Sequence, residues 1–187
     1  MRIIAGSARG RRLKCPRGLG TRPTPDRVRE SVFSILGDRV PGSRVLDLFA
    51  GTGAMGLEAV SRGAREAVFV EKDLAARQAL EANIRGCGFS EKTVIMPTSV
   101  QRYFLKDGLG GGFDIVFADP PYGSEEGTLT LMALSKHVKS LPEGLVVLEH
   151  APGDPVIQPP GLLVVQSRKY GNTMLTFFRV TGKGDLH

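Results

Sequence analysis

The spacing of apolar runs between Val45 and Val180 constrains the fold more than any other feature of the chain. Runs at 45–49, 67–71, 93–96, 113–118 and 145–149 read as strands, and helical patterns at 55–62, 74–85, 99–106 and 128–139 fall between them. Strands alternating with helices across short loops predict a parallel sheet covered on both faces, with ligands at the carboxyl ends of the strands. The last two runs, 162–167 and 173–180, break the rhythm. Lys169-Tyr170-Gly171-Asn172 between them leaves no room for a helix, so these strands must return on each other as a hairpin.

The turn after the first strand reads Asp47-Leu48-Phe49-Ala50-Gly51-Thr52-Gly53-Ala54-Met55-Gly56. Glycines at 51, 53 and 56 satisfy G-x-G-x-x-G between a strand and a helix, and Glu71 closes the second strand. That is the geometry of a pocket for an adenosine-type cofactor: Gly51 and Gly53 let the backbone approach the ligand, and Glu71 accepts hydrogen bonds from ribose hydroxyls. A Walker-type loop is excluded because no Lys-Ser or Lys-Thr follows. Glu58, on the next helix, reads as an ordinary helix residue.

The fourth strand runs into Asp119-Pro120-Pro121-Tyr122. Two prolines fix φ, donate no N–H and leave their carbonyls free to accept. An amino group of a base or amide can then give one hydrogen to Asp119 and the other to the Pro120 carbonyl, with Tyr122 stacked on the ring that carries it. Pro121 is mainly conformational. A nicotinamide dehydrogenase shares the glycines and Glu71 but has no use for this quartet, nor for Asp47 ahead of the loop. A methyltransferase has a use for both. There Asp47 orients the amino-acid part of S-adenosylmethionine, and Ser99, past the third strand, sits where adenine is contacted. A parallel sheet closed by a hairpin points the same way.

Residues 1–25 carry Arg2, Arg9, Arg11, Arg12, Lys14, Arg17 and Arg22 and no acid, which exceeds the whole chain's net charge of +6. Interleaved with glycine, such a segment can track a phosphate backbone; a solvated tail is the alternative. Ile3, Ile4 and Leu13 leave room for a small hairpin docked on the core. Thr24 as N-cap, Pro25 at the first helical position and Asp26 in the first turn start a helix whose apolar face is Val28, Val32, Phe33, Ile35 and Leu36. Arg27 and Arg29 lie on this helix as an exposed flank or as neighbours of the site. The division expected is a basic arm with a capping helix at 1–40 and the sheet domain at 41–187.

No apolar run reaches membrane-spanning length and no signal-peptide core opens the chain, so a cytoplasmic location is expected. The two cysteines, Cys15 and Cys87, form no C-x-x-C pair, so no metal site is expected. His137, His150 and His187 are assigned to structure or surface. The loop 108–112 precedes a strand and reads as a connector. Nothing in the helical faces suggests a self-complementary interface, so a monomer is expected.

Nearly end to end, the chain resembles the bacterial guanine-N2 methyltransferases, type D, that modify 16S ribosomal RNA. The resemblance rests on M-R-I-I-A-G-S-A-R-G-R-R-L, R-P-T-P-D-R-V-R-E-S-V-F, D-L-F-A-G-T-G-A-M-G-L-E-A, V-E-K-D, A-D-P-P-Y and K-Y-G-N-T-M-L. D-P-P-Y also occurs in DNA and RNA adenine and protein glutamine methyltransferases; the two N-terminal motifs discriminate. The resemblance implies an α/β, Rossmann-like class I fold, with a seven-stranded, mostly parallel sheet, an antiparallel C-terminal hairpin and a basic N-terminal extension. It implies methyl transfer from S-adenosylmethionine to N2 of a guanine in the 30S particle or a late assembly intermediate. Asp119, Pro120 and Tyr122 match the target motif, and Gly51, Gly53 and Glu71, with Asp47 beside them, match the cofactor motif. The rivals are an adenine-N6 methyltransferase of DNA or RNA and a non-catalytic RNA-binding assembly factor.

Overall fold

The computed structural model describes residues 1–15, 25–105, 112–141 and 143–181. Arg17, Arg22, Thr24, Lys106, His187 and residues 108–111 of the connector lie outside the described residues.

Helix α1 spans Asp26–Leu36. It is followed by β1 (Arg44–Leu48), α2 (Ala54–Ser61), β2 (Glu66–Val70), α3 (Leu74–Cys87) and β3 (Thr93–Met96). The second half holds α4 (Val100–Leu105), β4 (Ile115–Ala118), α5 (Glu126–Lys136), β5 (Leu145–His150), β6 (Leu162–Tyr170) and β7 (Thr173–Val180). The seven strands form one sheet in the order β3-β2-β1-β4-β5-β7-β6. Strands β1 to β5 pair in parallel, whereas β7 runs antiparallel to both β5 and β6. The expected hairpin is therefore present, and the order reverses at β1, whose neighbours are β2 and β4.

Two hydrophobic clusters cover the two faces. On one, Val45, Phe69, Phe117, Val147 and Phe177 of the strands meet α1, α2 and α3 through Val32, Phe33, Leu57 and Leu80. On the other, Leu46, Val68, Val116 and Phe178 meet Tyr103, Phe104, Leu131 and Leu134 of α4 and α5. The central strands are buried on both sides, which is why they read as unbroken apolar runs.

The basic arm belongs to the first cluster. Ile3, Ala8 and Leu13 are buried in it, while Arg2, Arg9, Arg11, Arg12 and Lys14 point to solvent. Arg2 bridges Arg12 in antiparallel fashion, and Ile3 N–H donates to the Arg11 carbonyl at 2.9 Å. Residues 1–15 are a docked hairpin, and the solvated-tail alternative does not hold for them.

Three local readings need correction. Pro25, with φ −56° and ψ 147°, is the residue before α1 and not its first helical residue; its carbonyl accepts from Val28 and Arg29. A proline has no N–H to satisfy at either position, so sequence alone does not separate them. Arg29 is not an exposed flank: it is fully buried, donating to the Arg2 carbonyl at 2.6 Å and to Asp26 at 2.7 Å. Glu58 is not an ordinary helix residue either. It is 0 % exposed and accepts from Ile4 N–H at 2.7 Å, Ala5 N–H at 3.0 Å and Arg62 at 2.7 Å.

Candidate active site

The parallel register puts Val70, Leu48, Ala118 and Leu148 in one row across β2, β1, β4 and β5. The next residue on each strand is Glu71, Phe49, Asp119 and Glu149. Three acids and the start of the glycine loop thus share one edge of the sheet, at the point where strand order reverses. That crevice is where open α/β sheets receive ligands.

Phe49 holds φ +60°, a strained conformation for a non-glycine residue, and turns the chain out of β1. Gly51 and Gly53 follow at φ +55° and +79°, and Gly53 opens α2. A Cβ on Gly53 would lie 2.3 Å from Leu80 Cδ1, the movable end of a side chain, and the positive φ strains any other residue, so the loop favours glycine here. Over Gly51 a Cβ would meet nothing nearer than the Phe49 carbonyl at 3.9 Å, leaving that side of the loop open. Glu71 is tied to this loop: one carboxylate oxygen accepts the Gly51 N–H at 2.7 Å and the other the Asp73 N–H at 2.8 Å.

Asp47 is buried beneath the loop and accepts the Gly56 N–H at 2.8 Å. Burial pushes its carboxyl up to about 7; the Gly56 hydrogen bond offsets part of this and the nearby Glu71 charge adds to it. Asp119 lies with Asp47, Glu149, Val32 and Met55 in one hollow. Its side chain still reaches solvent at the mouth, but protein crowds its other sides. Loss of hydration therefore raises its carboxyl well above the usual range, and the charges of Glu149 and Asp47 raise it further.

Pro120 is buried against the sheet edge and Tyr122 is 46 % exposed. The Tyr122 hydroxyl donates to Glu149 Oε1 at 2.8 Å and shares a hydrogen bond with Thr173 Oγ1 at 3.0 Å. These contacts fix the ring from its far end, and nearly half of the residue stays exposed. Desolvation is the largest cause holding the phenol proton well above its usual range, with the Glu149 and Asp119 charges adding to it. After the quartet, Gly123 N–H donates to Asp154 at 3.1 Å, and Asp154 also takes the Ala151 N–H, joining this loop to the one that follows β5. On the other flank Ser31 of α1 and Tyr170 of β6 are hydrogen-bonded through their hydroxyls.

The edge gathers Asp47, Gly51, Gly53, Glu71, Asp119, Pro120 and Tyr122. Ser99 lies past β3 on the same edge, where its Oγ accepts the Arg102 N–H at 3.3 Å and caps α4. The cations Arg2, Arg9, Arg11, Arg12, Lys14 and Arg27 are all exposed on the arm and α1. Two residues escaped the sequence reading. Glu149, one residue short of the end of β5, stands at the level of Asp119 just past β4, a match visible once strand register is known. Asn83, 3 % exposed on α3, accepts Lys14 N–H at 2.7 Å and donates to the carbonyls of Lys14 and Thr52, both at 3.0 Å. It joins the arm to the glycine loop, and nothing in its local sequence marks it. Among the described residues no group of three or more His, Cys, Asp or Glu side chains could hold a metal ion, and no helix is long and apolar enough to cross a membrane.

A family model described as Conserved hypothetical protein 95 matches residues 1–179. A Haemophilus influenzae protein named ribosomal RNA small subunit methyltransferase D is 35 % identical over 176 residues, 91 % of this chain and 89 % of that one. A Bacillus subtilis protein described as a candidate rRNA methyltransferase is 33 % identical over 187 residues, 97 % of this chain and all of that one. Among solved structures, an Escherichia coli protein described as a candidate methyltransferase superposes with a TM-score of 0.86 at 30 % identity, covering 98 % of this chain and 99 % of that one.

Proposed function

The chain belongs to the Conserved hypothetical protein 95 family, that of the small subunit methyltransferase D proteins, and on that premise we propose that it methylates the exocyclic N2 of a guanine in 16S rRNA. The observation that carries this reading is the shared strand edge: a glycine loop with its tethered acid stands beside an Asp-Pro-Pro-Tyr quartet in one crevice. The donor is S-adenosylmethionine, which when bound would supply a methyl group activated by its sulfonium, the sulfur keeping the electron pair of the broken bond and leaving as a neutral thioether.

The residues present fit that donor. Open space over Gly51 admits a ligand against the backbone, and Glu71 stands at the end of β2 with its carboxylate oriented by two N–H groups. Asp47, half-ionised near neutrality, gains its charge when an ammonium group comes near. Glu71 would hold the ribose hydroxyls, Gly51 and Gly53 the backbone approach, Asp47 the amino-acid part and Ser99 the adenine.

On the acceptor side the guanine is extruded from an rRNA loop, which costs a few kcal/mol and less where the base is unpaired. Its ring lies on Tyr122, whose plane is set by Glu149 and Thr173. Asp119 and the Pro120 carbonyl take the two N2 hydrogens and turn the nitrogen lone pair out of the ring plane. Orientation and exclusion of water supply most of the rate. Once N2 has gained the methyl carbon it is cationic, and its extra proton leaves to the Asp119 carboxylate and then to water. Arg2, Arg9, Arg11, Arg12, Lys14 and Arg27, with Arg22, bind rRNA phosphates.

The test is to incubate the purified protein and labelled S-adenosylmethionine with 30S particles, naked 16S rRNA and duplex DNA from cells lacking the activity, then identify the modified nucleoside. N2-methylguanosine, chiefly in 30S RNA, is expected. N6-methyladenine in any substrate would overturn the guanine assignment, and no transfer to any of them would overturn the enzyme.

A further inference from the structure

Glu149 is the one acid of the crevice that the mechanism above uses only as a prop for Tyr122. Strands β4 and β5 pair with Ala118 opposite Leu148, so Asp119, just past β4, and Glu149, the penultimate residue of β5, sit at the same level of adjacent strands. Both line the hollow that also takes in Val32, Met55 and Asp47. The Tyr122 hydroxyl, 2.8 Å from Glu149 Oε1, holds that carboxylate beside the ring on which a base would stack.

Two neighbouring carboxylates repel, and the repulsion is relieved by a ligand edge that brings two donors together. Of the four RNA bases only guanine has an amino group next to a ring N–H, at N2 and N1. Adenine and cytosine place an acceptor nitrogen beside their amino group, and uracil has no amino group. A flipped base is read by hydrogen bonds to this edge.

Building on the proposed rRNA reaction, we infer that Glu149 is the specificity-determining residue for guanine, accepting N1–H while Asp119 and Pro120 hold N2. An adenine amine in the same place would turn the N1 lone pair against the Glu149 carboxylate. The quartet alone accepts either amine; the acid on the neighbouring strand chooses between them.

The experiment uses 30S particles reconstituted with 16S rRNA carrying guanine or 2-aminopurine at the methylated position. 2-Aminopurine keeps the N2 amine but has an acceptor at N1. Wild-type enzyme is expected to favour guanine by ~100-fold or more in kcat/KM, since a site built around a substrate N–H rejects the analogue lacking it. Glu149→Gln keeps the shape and the acceptor for Tyr122, and adds an amide N–H that suits the N1 acceptor. Its guanine to 2-aminopurine ratio is expected to fall by at least ~10-fold, with S-adenosylmethionine affinity and melting temperature unchanged. An equal loss on both substrates, or a wild-type ratio near one, overturns the role of Glu149 and leaves the proposed reaction standing. Failure of the wild-type enzyme to methylate guanine overturns both.

Discussion

Asp47 carries a cost that its chemistry explains. A carboxyl raised from 3.8 to about 7 by burial is protonated in the folded state where the unfolded chain is already ionised. Its effect on stability therefore has a definite sign: the fold is unpenalised below the unfolded value, loses stability as pH rises toward 7, and changes no further above it. About three units at ~1.4 kcal/mol each bound the loss at ~4 kcal/mol. Asp47→Asn keeps an oxygen for the Gly56 N–H and has no charge to bury. It is expected to be more stable than wild type by about 2–4 kcal/mol at pH above ~7 and no more stable below pH ~4, as measured by urea unfolding. S-adenosylmethionine binding should move the opposite way: tighter in wild type as pH rises through ~7, weaker and flat with pH in the variant. A stability gain that persists at acid pH would show that Asp47 is not the strained group.

At the scale of elements, the arm hairpin is fastened to α2 through Ser61 as well as Glu58. The Ser61 hydroxyl donates to the Ala5 carbonyl at 2.5 Å and accepts the Ala8 N–H at 2.9 Å, and its carbonyl accepts the Ser7 N–H at 2.8 Å. Contact this close needs glycine at position 6. A Cβ there would stand 1.8 Å from the Ser61 carbonyl oxygen, which is backbone and cannot move aside. Gly10, in the same hairpin at φ +83° against +82° for Gly6, would meet nothing within 4 Å. The two glycines thus separate clash from strain. Gly6→Ala is expected to cost about 1–3 kcal/mol more than Gly10→Ala in denaturant unfolding. The same variant should impair methylation of 30S particles more than binding of the methyl donor, because the arm and not the glycine loop is displaced. Equal costs for the two substitutions would mean that the hairpin does not seat on Ser61.

Across the whole molecule, charge and shape are divided between faces. Apolar residues of the arm pack inward with α1 to α3, and its cations stay outside, on the side of the sheet that carries α1 beside the crevice. Exposed cations on the arm are free to meet phosphates of an rRNA whose base enters the crevice. Counterion release then makes the salt dependence a count of phosphate contacts, ~0.7 per contact for single-stranded nucleic acid. Arg11→Gln combined with Arg12→Gln is expected to lower the slope of log affinity against log salt by about 1–2, without changing which base is methylated. A slope that stays the same while affinity falls would move these arginines from phosphate binding to hairpin stability.

The amino-acid sequence by itself determined the features governed by near neighbours. Loop length left 162–180 only a hairpin, the apolar runs required a doubly covered sheet, and glycine at 51 and 53 was legible because a strand-to-helix turn demands positive φ there. Asp119 and Tyr122 stood out because two prolines fix the chain beside them. What only the tertiary structure decided was partnership over long sequence separation. Glu58 looks like any helix acid until Ile4, 54 residues away, turns its N–H toward it. Arg29 looks like a solvated cation until the Arg2 carbonyl and Asp26 enclose it, and Asn83 has no role until Lys14 and Thr52 meet over it. Glu149 joined the site through strand order, which sets β5 next to β4. Periodicity and backbone sterics act within a few residues and can be read along the chain, whereas the pairing of a buried polar group depends on which distant segment packs against it.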